Sequence, residues 1–376
     1  MRTVIAALLC LHGLIHLIGV MKEWRWAEVP ALSGGTTLKL PATASIAVGA
    51  LWLASCLALL AAAALLIAHH DRWWITAAIA VATSQLLVLY AWPDAKAGTL
   101  ANVALAVAIV IGAGYERFIR DGDAAIHELL VRTSGVGAAP VERAELEHLP
   151  APVARWLEGA GVVGKPRAVN VRLKQRGELR TSVEQDFAPA RADQYFSVNE
   201  PGFVWRVQVP MLHVPIIGRD SYAGGRGRMQ IKALGAIPLV DAQGEPIDQG
   251  TLLRFLGELV WFPSAALAPY VRWEEVDQAS ARAHMSYGGV SAWATFYFDA
   301  QGRVERMRAS RYLAQGDAPA TLEPWAVRMR RWASPDGVLI PVEGDVTWEL
   351  KSGDFTYYRW HITELQQNVT EPYVRD

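Results

Sequence analysis

Four stretches in the first third of the chain, residues 3–21, 43–68, 73–92 and 98–115, are apolar and nearly free of charge. A run of roughly 20 such residues is what an α-helix needs to cross a hydrocarbon layer of about 30 Å. Inside that layer a lone segment must satisfy its own backbone hydrogen bonds, so these four stretches are expected to be transmembrane helices. Polar groups separate them: Lys22, Glu23 and Arg25, then His69, His70, Asp71 and Arg72, then Pro93, Asp94 and Lys96. Trp24, Trp26, Trp73, Trp74, Tyr90, Trp92 and Tyr115 stand at the stretch ends, where amphipathic rings favour the headgroup layer. A hydrophobic share of 52% in 376 residues agrees with part of the chain lying in lipid.

The first stretch follows Arg2 and has the look of a secretory signal, but no small-x-small cleavage pattern precedes Lys22, so retention is expected. Basic residues do not fix the orientation: Arg2, Arg72, Arg117 and Arg120 fall on one side, Lys22, Arg25, Lys39 and Lys96 on the other. Cys10 and Cys56 both sit in apolar runs and read as small hydrophobes. His12 and His16 are one helical turn apart, so they share a face at membrane depth. Paired imidazoles there suit a haem or metal, but no facing ligand pair occurs in the other stretches. The expected role is hydrogen bonding to neighbouring helices through Gln85 or Asn102. Gly112 and Gly114 suggest close helix packing.

From Glu116 the composition turns to mixed charge. Apolar spacing predicts a surface helix over 123–132 and a second helical segment over 141–159, divided by Pro150 and Pro152. Beyond Pro166 alternating patterns predict strands at 169–174, 194–198, 203–209, 227–232, 281–287, 292–298, 304–312, 338–350 and 356–364. Short connections, including the turn Asp299-Ala300-Gln301-Gly302, imply an antiparallel sheet. One helix, residues 249–260, interrupts the series and is expected to pack on the concave face of that sheet. The expected organisation is a four-helix membrane region at 1–118, a helical connector at 119–165 and a β-rich domain at 166–376. In class this is an α-helical bundle plus an α+β domain whose curved antiparallel sheet forms a half-barrel on a helix.

No constellation for catalysis emerges. Ser221 lacks the glycine frame of a nucleophile elbow, and the β-rich part contains no cysteine. His127, His148, His213, His284 and His361 are scattered without ligand spacing, so neither metal nor other cofactor is expected. Asp241, Glu245 and Asp248 surround Gly244, but not at the spacing of a calcium loop, and a solvated turn is the simpler reading. With 36 Lys and Arg against 37 Asp and Glu, no charge excess points to nucleic acid.

Several segments carry a resemblance: Pro201-Gly202-Phe203-Val204-Trp205, Gly218-Arg219-Asp220-Ser221-Tyr222, Gly225-Arg226-Gly227-Arg228-Met229 and Leu256-Gly257-Glu258-Leu259-Val260-Trp261-Phe262-Pro263. In these the chain resembles a family of bacterial membrane proteins with N-terminal helices and a domain of unknown function. More distantly, the run 273–312 is similar to the lipoprotein carrier LolA and its receptor LolB. That resemblance implies a curved sheet around a helix-plugged apolar cavity that accepts acyl chains. No lipobox cysteine occurs, so the membrane helices would replace a lipid anchor.

On that basis Trp205, Phe255, Trp261, Phe262, Trp273 and Phe296 are expected either as an apolar ligand wall or as ordinary core. Arg219, Asp220, Tyr222 and Arg228 are expected either as a polar rim or as a structural ion-pair group. The functional expectation is a non-enzymatic, membrane-tethered module binding a lipid or apolar small molecule outside the cytoplasm. The alternatives are a hydrolase or transferase using Asp220 and Tyr222, or a partner-binding envelope module.

Overall fold

The computed structural model describes residues 2–27, 30, 32–211, 214–314 and 319–374. Two compact units divide the chain, Met1–Phe118 and Ile119–Asp376.

The first unit contains α1 (Arg2–Glu23), α2 (Ser45–Ile67), α3 (Trp73–Tyr90), the short α4 (Trp92–Ala95) and the start of α5 (Gly98–Val131). Four of these helices, α1, α2 with its leading turn, α3 and α5, are long and apolar enough to cross a membrane. Leu9, Leu59, Ala62, Ala77 and Leu105 form their common core. Small residues set the approach: a Cβ on Gly112 would lie 2.3 Å from the Trp73 ring.

α5 continues unbroken to Val131, so the surface helix expected at 123–132 is the last part of a 34-residue helix and not a separate element. Pro150 and Pro152 do divide the next segment, leaving a 3₁₀ turn at Arg143–Leu146 and α6 (Ala151–Ala160), which Gly161 closes at φ +71.

The second unit is built on one antiparallel sheet. Its strands are β1 (Asn170–Leu179), β2 (Ala188–Ser197), β3 (Gly202–Met211), β4 (Val214–Ala223), β5 (Arg226–Ala233), β6 (Ile237–Ala242), β7 (Val271–Asp277), β8 (Ser280–Tyr287), β9 (Val290–Phe298), β10 (Val304–Leu313), β11 (Thr321–Ala333), β12 (Ile340–Leu350) and β13 (Gly353–Gln367). The order is β6-β5-β4-β3-β2-β1-β13-β12-β11-β10-β9-β8-β7: two meanders joined by the pairing of β1 with β13. α7 (Glu245–Glu258) connects the two meanders and touches β4 and β5 from one and β8, β9 and β10 from the other. A sheet that reaches one helix from both of its ends is curled into a half-barrel, with α7 on the inner face.

Two glycine hairpins show how far the curl goes. Gly224-Gly225 joins β4 to β5 and Gly288-Gly289 joins β8 to β9, all four with positive φ, as a tight primed turn requires. The tips touch: a Cβ on Gly225 would stand 2.3 Å from the Gly288 carbonyl oxygen. Beneath α7 the inner face is filled by Leu173, Phe196, Phe203, Leu252, Phe255, Leu256, Phe262, Met285, Phe296 and Met307. On the outer face Ile126, Leu129 and Leu130 of α5 pack on Tyr195 and Val204.

Candidate functional site

In a strand, side chains alternate between faces, and directly paired residues on neighbouring strands share a face. Trp205 pairs with Asp220 and with Gln194, and Phe203 pairs with Tyr222, which places all five on the inner face. Arg219, one residue from Asp220, therefore stands outside, where its guanidinium donates to Gln230 Oε1 at 2.6 Å. Arg228 is also outside, forked onto Asp241 at 2.8 Å through both Nε and Nη2. The four residues expected as one polar rim thus split by alternation. The two arginines cannot meet a ligand held inside, and Arg219 forms no pair with Asp220 among the described contacts.

Asp220 instead meets a helix residue that the sequence left unremarked. Arg254 of α7 donates from Nη1 to Asp220 Oδ2 at 2.8 Å and from Nε to Glu258 Oε1 at 2.8 Å, one helical turn on. Gln194 closes the group: its Nε2 donates to Glu258 Oε2 at 2.7 Å and its Oε1 accepts from Arg254 Nη2 at 3.3 Å. The guanidinium lies 4.5 Å from the Trp205 ring centroid and 5.0 Å from that of Phe203, a cation–π contact with each. Next to it, Gln175 Oε1 accepts from Tyr358 O–H at 3.0 Å and from Trp205 Nε1 at 3.3 Å.

Burial pushes the Asp220 and Glu258 carboxyls up, against the pull of Arg254 on both. Burial also works against the charge on Arg254, but Glu258 and Asp220 more than offset it and hold the guanidinium above its ordinary value. Although the cluster lies inside the half-barrel, the side chains of Arg254, Asp220 and Glu258 keep 14%, 16% and 12% of their surface. From Leu252 to Val260, Arg254 and Glu258 alone are not fully buried, so this side of α7 looks out of the packed core.

What it looks onto is the remainder of the inner face. Leu179, Ala188, Ala192, Met211, Leu313, Leu350, Phe355 and Tyr357 line it, apolar or aromatic yet only partly buried. In the ladder Ala188 pairs with Leu179, Leu179 with the buried Tyr358, and Phe355 with the buried Trp348. α7 covers part of the inner face, and these band residues stay partly exposed among the described residues of the second unit. Arg311 of β10 lies beside it, 5.0 Å over the Trp325 ring, with Nη1 donating to Tyr357 Oη at 3.2 Å.

The aromatic residues expected as a ligand wall sit mostly elsewhere. Phe255, Phe262 and Phe296 are wholly buried, and Trp261 is buried as well. Phe196 has ring contacts to Phe255 at 6.0 Å, Phe262 at 4.8 Å and Trp261 at 6.4 Å, so these are core side chains. Trp273 is half-buried and packs on Phe296 at 5.1 Å. Trp205 alone of the six borders the Arg254 cluster. Tyr222 is buried and donates to the Tyr287 carbonyl at 3.4 Å. A separate cavity of about 110 Å³ lies on the far side, between Trp156, Gly302 and Trp332, too small for a drug-sized ligand.

The acidic loop is not a cation cage. Asp241 serves Arg228, and Asp248 is buried, with Oδ1 accepting from Gly227 N–H at 2.6 Å and Oδ2 from Arg226 at 3.1 Å. No group of three or more His, Cys, Asp or Glu suited to a metal occurs among the described residues, and His213 lies outside them. In the first unit, His12 Nε2 donates to Asn102 Oδ1 at 2.8 Å and His16 Nδ1 to the His12 carbonyl at 2.8 Å. That leaves His16 Nε2 to accept from Ser84 O–H at 2.9 Å. Asn102 Nδ2 passes the network on to Gln85 at 3.0 Å, so α1, α3 and α5 are tied together as expected for interhelical hydrogen bonding.

The architecture defines a class: a curled antiparallel sheet with one helix in its hollow, in a chain whose first part has four helices apolar enough for a membrane. The chain belongs to DUF6544, a family of unknown function whose pattern matches residues 139–360. No curated protein matches it. Among solved structures it is similar to a LolA superfamily protein from Nitrosomonas europaea, at 12% identity and TM-score 0.32, over 57% of this chain and 92% of that one. It is also similar to a putative outer membrane lipoprotein-sorting protein domain from Vibrio parahaemolyticus, at 9% identity and TM-score 0.33, over 53% of this chain and 85% of that one. Likeness this loose has no bearing on the ligand.

Proposed function

We propose that the second unit binds an apolar or amphiphilic molecule, such as a lipid, against the uncovered band of its inner face, while the apolar helices tether it at a membrane. The observation that carries this reading is that band: Leu179, Ala188, Met211, Leu313, Leu350 and Phe355 face inward on a curled sheet and remain partly exposed. Exposed contiguous apolar surface on the concave side of a sheet is costly in water and marks a binding surface. The reading involves no catalytic step. Asp220 is engaged by Arg254, and Tyr222 is spent on a backbone carbonyl, so neither is poised as a nucleophile or base. We place the second unit outside the cytoplasm, where a membrane-tethered lipid-binding module has lipid to exchange. An alkaline phosphatase fused after Asp376 is expected to be active, and an inactive fusion beside an active cytoplasmic reporter would reverse that placement.

The binding claim is tested by purifying the full chain, extracting it with organic solvent and comparing apolar compounds by mass spectrometry with those from Ala188→Trp. The new indole would fill the band from one side without touching the α7 core. A defined lipid or apolar compound is expected with the parent and is expected to be depleted in the variant at unchanged melting temperature. Equal recovery from both, or none from either, would overturn the reading.

A further inference from the structure

Resting on the proposed binding function, we infer that Arg311 and Tyr357 form an anion-recognising end of the inner-face site, and that the ligand is an amphiphile with one anionic head, a carboxylate or phosphate, on an apolar tail. Two guanidinium groups at the inner face, Arg254 and Arg311, differ in their situations. Arg254 has two carboxylates at 2.8 Å and a glutamine, so its donors are committed. Arg311 has no ion pair among the described residues; it gives Nη1 to Tyr357 at 3.2 Å and rests on the Trp325 ring. Glu323 is directly opposite Arg311 in the ladder, yet its carboxylate accepts from Thr321 at 3.1 Å and makes no pair with Arg311. Asp220 feels the charge of Arg311 but is bonded to Arg254.

Tyr357 adds a second uncommitted donor. Its oxygen accepts from both Arg311 Nη1 and Trp325 Nε1, each at 3.2 Å. The phenolic proton has no acceptor among the described contacts. An inward guanidinium with free N–H groups and an inward O–H with none to receive it form a site short of acceptors, and a carboxylate or phosphate supplies them. The setting favours an amphiphile over a small ion. Tyr357 stacks on Trp348 at 6.3 Å and lies 6.2 Å from Phe355, and two residues along their strands from Arg311 and Trp348 stand the partly buried Leu313 and Leu350, so a tail leaving the head meets apolar surface. Gly250 of α7 faces this arginine: a Cβ there would stand 3.4 Å from Arg311 Nε, an ordinary contact distance, so Arg311 lies against the helix.

The test measures binding of dodecanoate, methyl dodecanoate and acetate to the full chain in nanodiscs, with empty nanodiscs as blank. The parent is expected to bind dodecanoate at least tenfold more tightly than the ester and to ignore acetate. Arg311→Gln is expected to weaken dodecanoate by about ten- to a hundredfold, the worth of a charge-assisted bond, while leaving the ester unchanged. Arg311→Lys should recover part of the loss, and Tyr357→Phe should show a smaller loss than Arg311→Gln. Equal affinity for acid and ester, or a Gln variant that keeps dodecanoate while the Lys variant melts at the parental temperature, would overturn the assignment and leave the apolar site standing. Acetate binding as tight as dodecanoate would reassign it to small anions. Failure of all three compounds to bind would overturn both this inference and the function on which it rests.

Discussion

Arg254 decides how the interior of the half-barrel is charged, because it is the cation that both Asp220 and Glu258 contact. Its removal would leave two carboxylates facing each other's neighbourhood without a counter-ion, a change that typically costs about 3–5 kcal/mol. Arg254→Met is accordingly expected to lower the melting temperature of the full chain by ten degrees or more, read by circular dichroism in detergent. The carboxyls also give a pH signature. Burial raises Asp220 above its ordinary 3.8, so the folded state holds this proton more tightly than the unfolded chain does. Its stabilising contribution is complete below that value and is lost as pH rises through the raised one. Asp220→Asn should therefore flatten the fall in stability from pH 4 upward relative to the parent. An unchanged slope would show that the folded and unfolded chains hold this proton equally tightly.

At the scale of elements, the seat of α7 on β5 depends on a missing side chain. A Cβ on Gly227 would lie 2.3 Å from Thr251 Oγ1 and 2.7 Å from the Ile247 carbonyl oxygen, and the second of these is backbone that cannot rotate away. Gly227→Ala is expected to cost about 1–3 kcal/mol and to weaken protection of α7 amides in hydrogen exchange, with the β12–β13 ladder unaffected. In the apolar unit, Ser84 bridges His12 and His16, and Ser84→Ala should cost about 1 kcal/mol, measured as detergent-resistant melting. The elements legible in the sequence are those with clean periodicity, such as β1 with Val171 and Leu173 inward and Arg172 and Lys174 outward. β4, β6, β7 and β11 were not legible, for separate reasons. β6 is a six-residue edge strand interrupted by Pro238. β4 carries a charge on each face, at Arg219 outside and Asp220 inside. β7 is an edge strand whose second half is acidic, with one ladder partner. β11 contains Pro324 and two register shifts that break the two-residue period. The candidate site was half legible for a related cause. Asp220 and Trp205 stood out by residue type, but nothing local singles out Arg254 and Arg311, whose partners come from distant strands, a contact that no local pattern encodes.

For the whole molecule, the inner face has two regimes. Beneath α7 it is a packed core, and beside α7 it is partly exposed apolar surface with charged groups at its border. A closed core there would suit a scaffold, whereas an uncovered one is what the proposed binding function requires. The most direct measurement is photolabelling of the full chain in membranes with an alkyl probe carrying a diazirine, followed by peptide mass spectrometry. Saturable adducts at Leu179, Met211, Leu313, Leu350 or Phe355, lost in Ala188→Trp, are expected. Adducts confined to residues 2–115, or to outward-facing positions such as Trp293 and Val276, would contradict a binding site on the inner face.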